Sequence, residues 1–200
     1  MVRRTKQEAQ ATRSHILDTA ERVFAERGVS GTSLHEIARA AGLTRGAIYW
    51  HFKDKADLFN AMMARATMPL EEAGGFGDAD MTVAQMRSGF RDVLKRIVAD
   101  PQMRRVFEIA THKVEYVDEM RAVRERHLSV RGECVADIER ALKAAIRRGE
   151  LGRRMPARAA AIGLHALLDG LIQNWMLDPT GFDLVKVGPQ ALDAYLAGLA

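Results

Sequence analysis

The chain has 200 residues, a net charge of +4 and 48% hydrophobic residues, enough apolar material for one large packed domain or a small domain joined to a larger one. A single cysteine, Cys134, excludes an internal disulfide and fits a reducing compartment. The densest apolar stretch, 159–177, is interrupted by His165 and Asp169, which reads as a buried helix and excludes a membrane span.

The positive charge is unevenly placed. Residues 1–55 hold ten Lys/Arg against six Asp/Glu, and the remaining 145 residues hold 20 of each sign. The whole excess therefore lies in the first quarter of the chain, where it would serve to neutralise phosphates. The Arg/Lys-rich start is followed by no apolar run, so it is not read as a signal peptide, and a cytoplasmic location is expected.

Apolar residues recur with helical spacing throughout and strand alternation is nearly absent, so the expected class is all-α with nine helices. The first spans about 6–27, with Ile16, Leu17, Ala20, Val23 and Phe24 on one stripe and Gly28 at its end. The second and third lie within 33–52. The fourth starts at Asp54, whose carboxylate can cap it, carries Leu58, Phe59, Met62 and Met63, and ends near Glu72. Gly74-Gly75-Phe76-Gly77 then reads as a seam. Five more helices follow at about 82–99, 101–113, 118–148, 156–177 and 184–199. The expected organisation is a small N-terminal domain over 1–55, a connecting helix over 54–72 and a larger domain over 73–200.

Residues 33–52 carry the most specific local signal. Ser33 with Glu36 spells a capping box, which starts a helix by satisfying orphan backbone N–H groups. Ile37, Ala38 and Ala41 form its apolar stripe, Gly42 stands where a helix stops in a left-handed residue, and Thr44 can cap the next helix. Ile48 and Phe52, four apart, face back to the preceding helices. Arg45, Tyr49, Trp50 and His51 are left outward. This is a helix-turn-helix whose second helix offers donors and aromatic rings to a DNA groove. Large exposed aromatics on so short a helix have no packing purpose.

Other constellations carry less. Glu108, His112 and Glu115 share one helix face, and Glu133 and Asp137 could add ligands from the next helix. That spacing is not a recognised ligand set, and no nucleophile–His–acid set or glycine phosphate loop is present. No metal, cofactor or enzymatic activity is expected. Asp169 stands in an almost wholly apolar helix, where a buried carboxylate must be paired or neutralised. It reads either as a helix-capping or inter-helix partner, or a position at a dimer seam, or else as an anchor for a ligand hydroxyl or cation.

Residues 12–60 resemble the tetracycline-repressor (TetR) family of bacterial transcriptional regulators. The resemblance runs through Thr12-Arg13-Ser14-His15-Ile16-Leu17, Phe24-Ala25-Glu26-Arg27-Gly28 and Thr32-Ser33-Leu34, then through Ala41 to Phe52 and on to Lys55 and Leu58. The Tyr49-Trp50-His51-Phe52 element followed by Lys55 is its most specific part. The opening residues Val2–Lys6, Arg104-Arg105, His112-Lys113, Arg147-Arg148-Gly149 and Asp169-Gly170-Leu171-Ile172 with Trp175 are similar to the branch that represses multidrug efflux pumps, the AcrR/TtgR-like regulators.

The resemblance implies a homodimer, paired through the last two helices, on a palindromic double-stranded operator. The expected DNA-contacting set is Thr32, Ser33, Thr44, Arg45, Gly46, Ala47, Tyr49, Trp50, His51 and Lys55, with Arg45 and Tyr49 in the major groove and Thr32, Trp50, His51 and Lys55 on phosphates. It also implies a largely apolar pocket for a small hydrophobic or aromatic inducer, lined by Phe90, Val93, Leu94, Phe107, Thr111, Val130, Cys134, Asp169 and Gln173. Phe107, Thr111 and Gln173 depart from residue types seen at matching positions in that branch, so the ligand range need not be shared. The fourth helix is expected to act as the lever between pocket and DNA, as the one continuous link. A small all-α metal-binding or enzymatic bundle and a ligand-independent DNA-binding regulator remain open alternatives.

Overall fold

A computed structural model of the chain describes residues 6–74, 81–152 and 154–199, with side chains 68–74 excepted. The seam expected at Gly74–Gly77 lies, beyond Gly74, outside these residues, as do Val2, Arg3 and Arg4. Among the described residues all regular structure is helical. The α-helices are α1 (Lys6–Arg27), α2 (Leu34–Ala40), α3 (Arg45–His51), α4 (Lys55–Gly74), α5 (Val83–Ala99), α6 (Pro101–His112), α7 (Arg121–Arg147), α8 (Ala157–Leu177) and α9 (Leu184–Ala197), with a 3-10 turn at Asp118–Met120 before α7.

The chain forms two compact units. The first comprises Met1–Thr67 with Arg105–Arg126, the second Met68–Arg104 with His127–Ala200. The division therefore differs from the expected one between 55 and 73. The end of α6 and the start of α7 join the N-terminal helices, because Val106, Ile109, Met120 and Val123 are apolar and bury in the same core as α1 to α4. The expectation of a single continuous link is corrected by the same division: α4, α6 and α7 each contribute residues to both units.

In the first unit, Ile16, Leu17 and Phe24 from α1 meet Leu34 and Ile37 from α2, Ile48 from α3, and Leu58, Phe59 and Met62 from α4. Phe24 and Phe59 stack tilted with centroids 6.2 Å apart. Each such fully buried ring stabilises the unit by about 2–3 kcal/mol. Helix starts follow the local code. The Asp54 carboxylate accepts the Asp57 N–H at 2.8 Å, capping α4.

In the second unit, Met86 and Phe90 of α5, Ile138, Leu142 and Ala145 of α7, Leu164 and Leu168 of α8, and Leu192 and Leu196 of α9 form the core. Thr82 and Gln85 make a capping box at the start of α5, and Asp100 caps α6 through the N–H groups of Gln102 and Met103. The C-terminal tail is tied down where the Gly152 N–H donates to the Leu199 carbonyl at 2.7 Å. The small residues of α8 permit close helix contact. A Cβ at Gly163 would stand 2.3 Å from the Tyr195 hydroxyl of α9, and that hydroxyl donates to the Ala160 carbonyl at 2.9 Å.

Candidate functional site

The helix-turn-helix is built by local chemistry. The Ser33 backbone N–H and hydroxyl both donate to the Glu36 carboxylate at 2.8 Å, and the Ser33 oxygen accepts the Glu36 N–H. These bonds favour the ionised carboxyl, so Glu36 is held below its usual range, first by the Ser33 backbone bond and then by the Ser33 hydroxyl. Gly42 ends the turn at φ +67°, a left-handed conformation that a Cβ would strain. The Thr44 oxygen then accepts the Ala47 N–H and starts α3.

Ile48 and Phe52 are fully buried, and the Arg13 guanidinium lies 4.9 Å over the Phe52 ring. These anchors fix the rotation of α3. Its outward face then carries Tyr49 and Trp50, 47% and 72% exposed. The Arg45 guanidinium sits 5.5 Å from the Tyr49 ring centre, and the Trp50 and His51 rings meet edge-on at 4.5 Å. Ser33, Thr44 and Gly46 are exposed beside them, with Ala47 half-buried. The resulting face has guanidinium, phenol and indole groups on one short helix, with the half-buried His51 imidazole at its end, and these can donate to base edges and phosphates in a major groove.

Two residues expected on phosphates are placed otherwise. Thr32 is 2% exposed and its hydroxyl donates to the Gly28 carbonyl at 2.7 Å. Lys55 is 5% exposed. Its ammonium donates to the carbonyls of Val29 at 3.1 Å and Ser30 at 3.5 Å, and pairs with the Glu119 carboxylate at 3.0 Å. Both side chains hold the α1–α2 loop from inside. A lysine beside an exposed motif is expected in solvent, whereas the loop turns its carbonyls toward it.

The expected ligand residues fall in both units. Phe107 and Thr111 belong to the first, where the Thr111 hydroxyl donates to the Phe107 carbonyl. In the second, Phe90 lies in the core and Cys134 packs against it, while Leu94 is buried and Val93 half-buried. Burial pushes the Cys134 thiol up to about 11, with Asp137 adding to the effect. Val130 is exposed at 41%, against the expectation that it lines a cavity. Asp169 is also exposed, and its carboxylate accepts a hydrogen bond from the Gln173 amide at 2.6 Å. The expectation of a buried carboxylate is thus corrected. The apolar sequence of α8 predicts burial all round, but one face, carrying Ile162, Ala166, Asp169 and Leu177, is exposed in the chain. On α8, half-buried His165 has its imidazolium disfavoured by burial; Asp169 opposes this shift, and Arg131 and His127 of α7 reinforce it. Among the described residues, no three His, Cys, Asp or Glu side chains gather as metal ligands would, and no helix is long and apolar enough to cross a membrane.

Residues 16–62 match the model of bacterial regulatory proteins of the tetR family, and residues 82–200 match the C-terminal region of MAATS-type transcriptional repressors. The chain belongs to the TetR family of transcriptional regulators. It is 42% identical to the HTH-type transcriptional regulator TtgR of Pseudomonas putida over 195 residues, covering 92% of this chain and 90% of that protein. The crystal structure of NalD, the secondary repressor of the MexAB-OprM multidrug efflux pump in Pseudomonas aeruginosa, superposes with a TM-score of 0.89 at 34% identity and 98% coverage of both chains. SmeT of Stenotrophomonas maltophilia in complex with triclosan superposes with a TM-score of 0.83 at 32% identity, covering 94% of this chain and 91% of that one.

One polar cluster of this TetR-family chain was missed in the sequence. Glu21 of α1 is 3% exposed at its side chain and accepts hydrogen bonds from Arg65 of α4 at 3.2 Å and Arg105 of α6 at 2.9 Å. Arg65 also holds Asp18 at 2.6 Å. A signal existed. Glu21 lies between Leu17 and Phe24 on the apolar stripe of α1, and a carboxylate there demands a cation from another element. Which arginine supplies it, 44 or 84 residues away, is not written locally.

Proposed function

We propose that this chain is a repressor that binds a palindromic operator as a homodimer, controls a multidrug efflux operon, and is released by a small apolar or aromatic compound. The observation that carries the reading is the outward Arg45–Tyr49–Trp50–His51 face on an α3 anchored by Ile48 and Phe52. The similarity over 98% of this chain to NalD, a repressor of a multidrug efflux pump, supports the regulated function, and the triclosan complex of SmeT supports a hydrophobic aromatic inducer. The exposed Ile162 and Leu177 of α8, 51% and 68% open in the single chain, support pairing with a second copy, since monomers rarely leave such a stripe bare.

In this reading two copies place their α3 helices about 34–36 Å apart, one DNA turn. Arg45 and Tyr49 read base edges, while Ser33, Thr44, Trp50 and His51 hold the backbone. The inducer occupies the C-terminal helices among the inward residues expected for it, with Phe90, Leu94 and Cys134 as apolar wall. It releases DNA only if it prefers a conformation in which the two α3 helices are wrongly spaced. Typical coupling between sites changes affinity about 5- to 150-fold.

The test is to map binding of the purified protein across its own genome and repeat the operator titration with triclosan and a panel of phenolics. A site beside genes for an efflux pump, lost in the presence of one of these compounds, is expected. A site elsewhere, or operator binding that none of the compounds alters, overturns the efflux or induction part respectively.

A further inference from the structure

The loop between α1 and α2 sets where the helix-turn-helix begins, and it is gripped from outside the motif. The Val29 N–H donates to the Lys113 carbonyl just beyond α6 at 2.9 Å. The carbonyls of Val29 and Ser30 accept from the Lys55 ammonium. That ammonium is almost fully buried, and among the described residues the carboxylate paired with it is Glu119, in the 3-10 turn that precedes α7, at 3.0 Å. Glu119 itself is 60% exposed. It therefore supplies charge to a buried cation without being part of the core.

We infer that Glu119 is a positioning residue for operator binding: through Lys55 it holds the α1–α2 loop, and so the start of the helix-turn-helix, in the conformation that fits DNA. A buried ammonium satisfied by two carbonyls still needs a counter-charge. When Glu119 supplies it, the loop carbonyls stay turned inward. Without it, the ammonium gains by moving toward water and the loop loses its inner anchor. Only part of the population then presents the competent loop, and apparent affinity falls in proportion to that fraction. The inference rests on operator binding by this chain and adds a residue outside the DNA-facing set.

The test uses the full-length protein, a duplex selected from random-sequence DNA by the wild type, and the variant Glu119→Gln. At an exposed site this variant should fold, and its melting temperature checks that. Hydrogen exchange at the Val29 amide is expected to quicken about tenfold. Operator affinity is expected to fall about five- to tenfold, with the slope of log K against log salt unchanged. The sign is discriminating, because removing a negative charge from a DNA-binding unit would otherwise tighten binding. Glu119→Asp should restore most of the affinity. Unchanged affinity overturns the inference. So does tighter binding with a slope steeper by about 0.9, since that marks Lys55 as a phosphate contact for which Glu119 competes. A loss accompanied by a large fall in melting temperature and not rescued by Asp also overturns it, as general destabilisation. If the wild type selects no duplex, operator binding itself fails, and the exchange measurement still decides whether Glu119 holds the loop.

Discussion

Replacing Glu21 by Gln removes a charge at a place where water cannot replace it. The carboxylate is 3% exposed and receives Arg65 and Arg105 at 3.2 and 2.9 Å. Breaking a buried ion pair by removing one partner costs about 3–5 kcal/mol. Here the cost is smaller, because the partners are not trapped. Arg65 is 28% exposed and keeps Asp18, and Arg105 is 49% exposed and can turn to solvent. Exposed pairs contribute only about 0–1 kcal/mol, so Glu21→Gln should cost about 2–3 kcal/mol, lowering the melting temperature by about 5–10 °C for a chain of this size. Thermal unfolding followed by circular dichroism at fixed protein concentration measures it, since self-association of any kind makes melting concentration-dependent. A double-mutant cycle with Arg105→Met isolates the α1–α6 pair and should return a coupling of about 1 kcal/mol. A melting temperature within about 1 °C of wild type, or zero coupling, would refute the assignment of this cluster as the tie between α1 and α6.

Tyr49→Ala removes a half-exposed ring with no core role, so operator affinity should fall by about 1–3 kcal/mol and discrimination between sequences should relax. Melting should stay at the wild-type value; a lower melting temperature with unaltered DNA binding would reverse the assignment. Ala166→Arg places a charge on the exposed face of α8, and sedimentation should show the dimer shifted toward monomer at micromolar concentration. A wild type that is monomeric there would remove the dimer from the reading. The Cys134 thiol, raised to about 11 by burial, should react with iodoacetamide at pH 7.5 about a hundredfold or more slowly than in urea, where a free thiol titrates near 8.5. Its proton is released later in the folded than in the unfolded chain, so this group's contribution to stability is full below about pH 8.5 and declines as pH rises toward 11. Native and unfolded alkylation rates within tenfold of each other would contradict its burial.

The sequence by itself determined the helices and the helix-turn-helix. Those signals are local. Ser33 reaches Glu36 three residues on, Thr44 reaches the Ala47 N–H, and Ile48 and Phe52 are one turn apart. Backbone geometry fixes such relations before any tertiary contact forms. The exposure of Tyr49 and Trp50 follows in turn, because burying Ile48 and Phe52 leaves them the other side of a short helix. The partners of charged residues were decided only by the tertiary structure. Lys55 reads as a phosphate contact until the α1–α2 loop and Glu119 close over it, and Glu21 reads as one acid among several until Arg65 and Arg105 arrive from α4 and α6. Asp169 shows the converse, an acid in an apolar helix that the packing leaves in solvent beside Gln173. Hydrophobic spacing says which residues seek a core, but a charge is satisfied by whichever distant group the completed packing brings within about 3 Å, and that distance exists only once the helices have assembled.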